Sequence, residues 1–143
     1  MELFTIGYEG RTLPQFTRLL RDHEIARVVD VRERPHSRKR GFSALSLFEA
    51  LRKAGIVYES DRELGNPKEI RDLWKNGSLA QGRVKYRKLL RNGRAGRVRF
   101  LLDLASIDRV CILCYEEEAD ACHRSVIAEE AVRLEPSLTV HHL

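Results

Sequence analysis

The chain has 143 residues, of which 43% are hydrophobic and 33% are charged, and its formal net charge at neutral pH is +5. This length supports one domain with its own hydrophobic core, and the composition excludes a disordered chain. No apolar run is long enough to cross a bilayer, and the first ten residues lack the pattern of a secretory signal. We therefore expect a single domain over residues 1–143, a cytoplasmic location and no membrane partner.

The first half of the chain alternates short apolar strands with amphipathic helices. β-Branched and aromatic runs predict strands over 3–8, 27–32 and 56–59. Apolar residues at helical spacing predict helices over 13–23 and 43–54. Pro14 suits the first turn of the first helix and Gly55 suits the end of the second.

The second half begins with helices and ends with two further strands. The predicted helices cover 67–76, 82–91, 96–106 and 120–134, and the predicted strands cover 109–115 and 138–142. Strands separated by helices imply right-handed crossovers and a sheet covered on both faces. The sequence therefore predicts a three-layer α/β/α sandwich with a mainly parallel sheet of about five strands. The alternative is an antiparallel edge strand, for which 138–142 is the candidate.

Polar residues follow the predicted strands where each strand ends. In an open parallel sheet, ligands bind beyond the carboxyl ends of the strands. The residues that we expect at this edge follow four strands: Gly7, Tyr8 and Glu9; Asp30, Arg32, Arg34, Pro35, His36, Ser37 and Arg38; Tyr58, Leu64, Gly65, Asn66 and Pro67; and Cys114, Tyr115 and Glu116. Their common location predicts one site rather than several.

Two of the three cysteines lie in the stretch CYEEEADACHR, residues 114–124. With Asp120 as the N-cap of the last long helix, Cys122, His123 and Arg124 fall in its first turn. The free amides and the helix dipole there stabilise an anion and lower the pKa of a thiol. The third cysteine, Cys111, lies inside a buried strand and is interpreted as a core residue.

These residues suggest two sets of roles at one site. The candidate catalytic residues are Asp30, Cys114, Glu116, Cys122 and His123, with either cysteine as nucleophile and the others as proton carriers or orienting groups. The candidate anion-binding residues are Arg32, Ser37, Arg38, Gly65 and Arg124.

Two other roles for the sulfur atoms stay open. Cys114, Cys122 and His123 could supply three ligands to zinc, but the spacing is not that of a CxxC knuckle. A bridge between Cys114 and Cys122 would act as a redox switch in a reducing compartment. We expect neither a metal nor another cofactor.

A strongly basic span lies between residues 83 and 99, and it contains no acidic residue. Its candidate nucleic-acid-binding residues are Arg83, Lys85, Arg87, Lys88, Arg91 and Arg94. Such a span attracts phosphates, although a charge run is often only a solvated helix face.

Four pieces of the sequence resemble domain-of-unknown-function family 488, a family of small prokaryotic proteins. The pieces are TIGYEGRT, DVRERPHSRKRGFS, ELGNPKEIRD and LCYEEEADACHRSVIAE. The resemblance implies an α/β fold and a site built from Asp30, Arg32, Pro35, Ser37, Arg38, Leu64, Gly65, Cys114, Glu116, Cys122, His123 and Arg124. Many members have TIGHS where this chain has Tyr8 and Glu9, so no histidine role is carried over to that position. The resemblance implies no particular reaction.

Three functions are therefore in competition. The first is an enzyme that acts on an anionic substrate, such as a nucleotide, a phosphorylated metabolite or a nucleic-acid end. The second is a nucleic-acid-binding module that uses the basic span. The third is a thiol redox or ligand sensor.

Overall fold

The protein forms one five-stranded sheet. The computed structural model describes residues 1–143, and its strands are β1 (Glu2–Gly7), β2 (Arg27–Asp30), β3 (Val57–Ser60), β4 (Val110–Cys114) and β5 (Thr139–His142). The strand order is β3-β2-β4-β1-β5, and every pair is parallel. The predicted mainly parallel sheet is confirmed. The antiparallel alternative for the last strand is wrong, because β5 pairs in parallel with β1 from Glu2 and Thr139 onward.

Six α-helices connect and cover these strands. They are α1 (Leu13–Asp22), α2 (Ala44–Lys53), α3 (Lys68–Lys75), α4 (Leu79–Gly93), α5 (Ala95–Ala105) and α6 (His123–Leu134). Short 3-10 turns occur at Arg62–Leu64 and Ala119–Ala121. A capping box fixes the start of α1: the side-chain oxygen of Thr12 accepts from the amide of Gln15, and the side-chain oxygen of Gln15 accepts from the amide of Thr12. No helix has the length and apolar character to cross a membrane.

The two faces of the sheet carry separate apolar cores. On one face, β-strand side chains pack with Phe16 and Leu20 of α1 and with Leu47 and Leu51 of α2. On the other face, the core partners come from α4, α5 and α6, among them Tyr86, Leu101, Val126 and Ile127. The three-layer α/β/α arrangement predicted from the sequence is therefore present.

The alternation of side chains along β4 separates the cysteines. Ile112 and Cys114 belong to the core under α4–α6, whereas Cys111 and Leu113 belong to the core under α1 and α2. Successive side chains of a strand point to opposite faces, so three residues are enough to put Cys111 and Cys114 on opposite sides of the sheet. Cys111 is fully buried, as its interpretation as a core residue requires.

The connections that follow neighbouring strands reverse from one face of the sheet to the other at β4. The helices that follow β1 and β2 cover one face, and the helix that follows β4 covers the other. β4 lies between β2 and β1. A crevice forms beyond the carboxyl ends of neighbouring strands where such a reversal occurs, and this is where open α/β sheets bind ligands.

Candidate functional site

A cavity of about 590 Å³ opens at the carboxyl ends of β1, β2 and β4. Its buried lining includes Tyr8, Arg32, Asn66, Cys114 and His123. Its exposed lining includes the cationic or ionisable side chains of Arg34, His36, Arg38 and Lys75. The cavity volume lies within the range of small-molecule sites in proteins.

Close approach of two loops shapes this edge of the sheet. A Cβ atom on Gly7 would lie 1.7 Å from the carbonyl oxygen of Glu116, so any side chain there would displace the segment that follows β4. Gly65 likewise allows close contact with the segment that follows β2, because a Cβ atom on Gly65 would lie 2.4 Å from Cα of Glu33. Gly65 is not on the cavity lining, and its amide donates to the carbonyl of Arg62. The structure therefore gives Gly65 a packing role and no free amide for an anion.

Cys114, Cys122 and His123 form a compact cluster at the buried end of the cavity. Their two Sγ atoms and the imidazole nitrogen all lie within 4.8 Å of one another. Nδ1 of His123 is 3.7 Å from each of the two sulfurs. Both cysteines are free thiols, and Cys114 and His123 line the cavity while Cys122 lies behind them. The sulfur pair predicted to share one polar site does so.

The backbone of β2 determines the tautomer of His123. Its Nε2 lies 2.8 Å from the carbonyl oxygen of Val31. A carbonyl can only accept, so Nε2 carries a proton and Nδ1 presents its lone pair, or a second proton, to the sulfurs. The ring of Tyr86 contacts this imidazole edge to face, with ring centroids 5.2 Å apart.

The electrostatic environment shifts the pKa values of the two thiols in opposite directions. Burial alone would raise the pKa of Cys122, but hydrogen bonding from Cys114 and the positive charge of His123 together hold it well below its usual range. The pKa of Cys114 is raised because it donates to Cys122 and is buried. The pKa of His123 is raised despite burial, because the Cys122 thiolate favours the imidazolium form. The cluster therefore favours one thiolate paired with one imidazolium.

Glu116 lies beside the cluster on the same cavity wall. Its Oε2 is 3.6 Å from Sγ of Cys114. Burial and the neighbouring Cys122 thiolate raise the pKa of Glu116 to about 7. A carboxyl group in this environment can hold or release a proton near neutral pH.

Asp30 and Arg32 form a buried ion pair at the end of β2. Nε and Nη2 of Arg32 bond the Asp30 carboxylate at 2.9 Å and 2.7 Å. Tyr58 donates to the same carboxylate at 2.6 Å. Nη1 of Arg32 donates to the carbonyl of Phe42 and to the hydroxyl of Tyr8. Asp30 is fully buried, so the geometry supports its predicted orienting role and does not support its predicted role as a base.

Arg32 and Arg124 are less available to an anion than the sequence predicts. Most donors of Arg32 already have acceptors within the protein. Arg124 is fully buried and is absent from the cavity lining. It donates to Thr5 and to the carbonyls of Glu116 and Glu117, and it thereby holds the segment that follows β4.

The start of α6 differs from the prediction by two residues. Asp120 lies in the 3-10 turn Ala119–Ala121, and the N-cap of α6 is Cys122. The prediction of Asp120 as N-cap is wrong, because the 3-10 turn delays the helix. Cys122 therefore precedes the first helical turn, which contains His123 and Arg124.

The exposed cations of the cavity have no acidic partner within the protein. Arg34, Arg38 and Lys75 form neither an ion pair nor a side-chain hydrogen bond. Ser37 also lines the cavity, and its hydroxyl accepts from the amide of Lys39 in the loop that carries Arg38. These side chains are therefore free to meet an incoming anion.

The site also contains residues that the sequence analysis does not assign to it. They are Glu33, Arg71, Trp74, Lys75 and Ala121, of which Glu33 and Arg71 form an ion pair. Oδ1 of Asn66 is buried and has no partner. Tyr8, Arg34, His36, Asn66 and Tyr115, which the sequence places at this edge, also line the cavity. No pattern in the sequence shows that α3 turns Arg71, Trp74 and Lys75 toward this edge.

Most of the basic span is neutralised by contacts inside the protein. Arg83 and Arg87 pair with Glu129, and Arg91 pairs with Glu130. Arg94 donates to the carbonyls of Glu63 and Gly65. Lys85 and Lys88 are exposed and have no such partner. These contacts favour a structural role for most of the span, in attaching α4 to α6 and to the segment around Gly65.

The fold and the site define a three-layer α/β protein with a polar cavity at the carboxyl ends of its strands, beside β4. Residues 12–131 match the family model described as domain of unknown function DUF488. The chain therefore belongs to the DUF488 family, as the sequence motifs indicate. Neither the search of curated proteins nor the search of solved structures finds a match.

Proposed function

We propose that the protein is an enzyme that binds an anionic, phosphate-bearing substrate in the cavity at the carboxyl edge of the sheet. A nucleotide or a nucleic-acid end is the substrate class that fits best. The observation that carries the proposal is the meeting of free cations and a buried thiol–imidazole cluster in one cavity.

The exposed half of the cavity supports the anion. Arg34 and Arg38 offer forked donors of the kind that bind phosphate oxygens in pairs, and Lys75 adds a point charge. None of these side chains forms an ion pair within the protein, so an anion would not have to displace an existing partner. The lining also contains two acids, Glu33, which pairs with Arg71, and Glu116. The +5 net charge also favours the approach of a polyanion.

Aromatic side chains on the same lining support a nucleobase. Tyr115 is exposed, and Trp74 lies next to Arg71 and Lys75 along α3. Aromatic rings stack on any base, and such stacking contributes about 1–3 kcal/mol per base. Cations for a phosphate and rings for a base thus occur together in a cavity of suitable size.

The buried half of the cavity supports a reaction. Cys114, Glu116 and His123 meet there, and Cys114 is the sulfur on the lining. Asp30 lies behind Arg32 and fixes its guanidinium, and Cys122 lies behind Cys114. In this assignment Cys114, Glu116 and His123 face the substrate, while Asp30, Arg32 and Arg124 hold the walls in place.

Anion binding can be measured by titration calorimetry with inorganic phosphate and with a nucleoside monophosphate at low salt. The variant Arg34→Gln/Arg38→Gln should weaken binding at least about tenfold, which is about 1.4 kcal/mol. The matched control Lys85→Gln/Lys88→Gln removes two exposed charges from α4 and should leave the affinity unchanged. Equal affinities of wild type and the arginine variant would contradict the proposed site.

Turnover needs its own test. A panel of nucleotides and phosphorylated oligonucleotides is incubated with the protein, and products are separated by chromatography. We expect turnover of at least one compound by wild type and its loss in Cys114→Ser and Glu116→Gln. Phosphate binding without turnover of any compound would leave a binding site and reject the enzyme.

A further inference from the structure

We propose that Cys114, Cys122 and His123 bind one zinc ion, whose fourth coordination position opens into the cavity. The three ligand atoms are Sγ, Sγ and Nδ1. The three ligands are assigned from their geometry alone. Only the contact between the ion and a substrate rests on the function proposed above.

The spacing of the three atoms matches the edges of a coordination tetrahedron. Zinc binds thiolate sulfur at about 2.3 Å and imidazole nitrogen at about 2.0–2.1 Å, so tetrahedral angles separate sulfur from nitrogen by about 3.6 Å. The two observed distances from Nδ1 to the sulfurs are both 3.7 Å. All three atoms lie within 4.8 Å of one another, so small side-chain shifts complete the site.

The orientation of His123 is the one that a metal ligand needs. Its Nε2 donates to the carbonyl of Val31 at 2.8 Å, so Nδ1 is the nitrogen that faces the sulfurs and the one that can bind an ion once it carries no proton. Metal-binding histidines almost always anchor their other nitrogen on a carbonyl, a carboxylate or water. Here the anchor is a backbone atom next to β2, so the ring is fixed before any ion arrives.

The ligands also come from rigid parts of the fold. Cys114 is the last residue of the central strand β4, and Cys122 and His123 stand at the start of α6. The separation of eight residues is longer than that of a zinc knuckle because the 3-10 turn Ala119–Ala121 lies between the two cysteines. The fold therefore brings together three ligands whose spacing in the sequence does not match a zinc knuckle.

Charge and softness favour zinc as the occupant. Two thiolates and one neutral imidazole neutralise a divalent ion in a buried place, and zinc binding releases to solvent the two protons that the two thiols and the imidazole otherwise share. Sulfur and imidazole ligands select zinc over magnesium or calcium. Three protein ligands with one open position form the arrangement of a catalytic rather than a structural zinc site.

The cavity provides both the path of entry and the fourth ligand. Cys114 and His123 line it, whereas Cys122 closes the back of the site. A water molecule or a substrate oxygen can occupy the position that faces the cavity. Glu116, whose Oε2 is 3.6 Å from Sγ of Cys114, lies where it can accept a hydrogen bond from that water.

The test measures metal directly on the full chain. The protein is loaded with zinc or with cobalt(II), dialysed against metal-free buffer and analysed by elemental mass spectrometry. We expect one zinc per chain. The cobalt form should show thiolate-to-cobalt charge transfer and the intense visible bands of tetrahedral cobalt.

The matched variants identify the ligands. Cys114→Ser, Cys122→Ser and His123→Gln should each lose the ion and the cobalt bands. Cys111→Ala removes the third thiol, which lies on the other face of the sheet, and should keep both. Circular dichroism of each variant separates a lost ligand from a lost fold, and the wild-type cobalt spectrum depends on no variant.

Several results would overturn the zinc site. One is a wild-type chain that retains no zinc and shows no tetrahedral cobalt spectrum. Another is a Cys122→Ser chain that retains as much zinc as wild type. A third is a Cys114–Cys122 disulfide that forms under mild peroxide as quickly in zinc-loaded protein as in zinc-free protein.

The zinc measurement and the phosphate titration test separate claims. Zinc retention without phosphate binding would support the zinc site and reject the proposed function. Phosphate binding without zinc retention would support the proposed cavity and reject the zinc site.

Discussion

Nε2 of His123 lies 2.8 Å from the carbonyl oxygen of Val31, so the residue that follows β2 orients a side chain at the start of α6. The two residues are far apart in sequence and meet because β2 and β4 are neighbours in the sheet. The amide of Val31 in turn bonds the carbonyl of Leu113, one residue before Cys114. The sheet register thus sets the geometry of the thiol–imidazole cluster.

The buried pair Asp30–Arg32 yields a prediction about stability. Asp30→Asn removes the charge opposite a guanidinium that is only 5% exposed. Removing one partner of a buried ion pair leaves an uncompensated charge, so we expect a loss of about 3–5 kcal/mol in the free energy of unfolding. Urea denaturation measures it.

The control for Asp30→Asn is a pair on the protein surface. Asp72→Asn breaks the exposed helix pair with Lys68 and should cost under about 0.5 kcal/mol. If the two variants were equally stable, the Asp30–Arg32 pair would not be a main support of the cavity wall.

The close contact at Gly7 yields a second prediction. Gly7→Ala would place a Cβ atom 1.7 Å from the carbonyl oxygen of Glu116, and only a backbone shift can relieve this clash. We expect a loss of about 3 kcal/mol or more in stability and weaker anion binding. Thermal unfolding and phosphate titration measure the two effects.

Gly93→Ala is the matched substitution for Gly7→Ala. Gly93 ends α4, and its added Cβ would meet nothing within 4 Å. The variant should be as stable as wild type or more stable by about 0.5 kcal/mol, because alanine is the better helix former. Similar losses from both substitutions would show that the contact at Glu116 is not what makes Gly7 necessary.

The lowered pKa of Glu130 leads us to predict that the stability of the fold depends on pH. It is 3% exposed and bonds Arg91 and Arg133, each at 2.9 Å in its shortest contact. Burial opposes ionisation, but these arginines outweigh it and lower the pKa of Glu130 below its usual 4.5. A lowered pKa in the folded state gives stability that is present above pH 4.5 and is lost as the pH falls through the folded-state pKa.

Glu130→Gln should therefore be less stable than wild type by about 2 kcal/mol at neutral pH. The difference should shrink as the pH falls below 4.5, because the wild-type carboxylate becomes protonated there. Chemical denaturation at a series of pH values measures this convergence. A difference that stays constant into acid would mean that packing rather than charge accounts for the effect.

The three cysteines should differ in their reaction with iodoacetamide. The pKa of both Cys114 and Cys111 is raised, so access to the reagent distinguishes them: Cys114 lines the cavity, whereas Cys111 is fully buried. We expect native protein to be alkylated at Cys114 well before Cys111, which should react only on unfolding. Peptide mass spectrometry over time gives the order, and faster labelling of Cys111 would contradict the position of the cavity.

Much of the fold could be predicted from the sequence because its signals are local. The β-branched and apolar runs identify all five strands, and helical spacing identifies all six helices. The predicted start of α6 is wrong by two residues, because Asp120 resembles an N-cap in the sequence whereas the N-cap is Cys122. The 3-10 turn that delays the helix follows the carbonyls of Glu116 and Glu117, which Arg124 binds from within the helix, and no local pattern reveals these contacts.

The sequence indicates which residues lie near one another at the candidate site more readily than it indicates the role of each. Strand ends converge in a parallel sheet, so Cys114, Glu116 and His123 could be placed together. Whether an arginine is free or paired depends on tertiary contacts. Arg124 is therefore a buried support, while the unassigned Arg34 is free. The contribution of α3 was unpredictable because its orientation depends on packing against α4.

Crystals grown with tungstate, a heavy phosphate analogue, give the most direct test of the cavity as the anion site. We predict an anomalous peak inside the cavity, within about 4 Å of a guanidinium nitrogen of Arg34 or Arg38, since the tungsten atom lies one bond beyond the oxygen that accepts the hydrogen bond. A peak only on the α4 surface at Lys85 and Lys88, or no peak at all, would contradict the central claim.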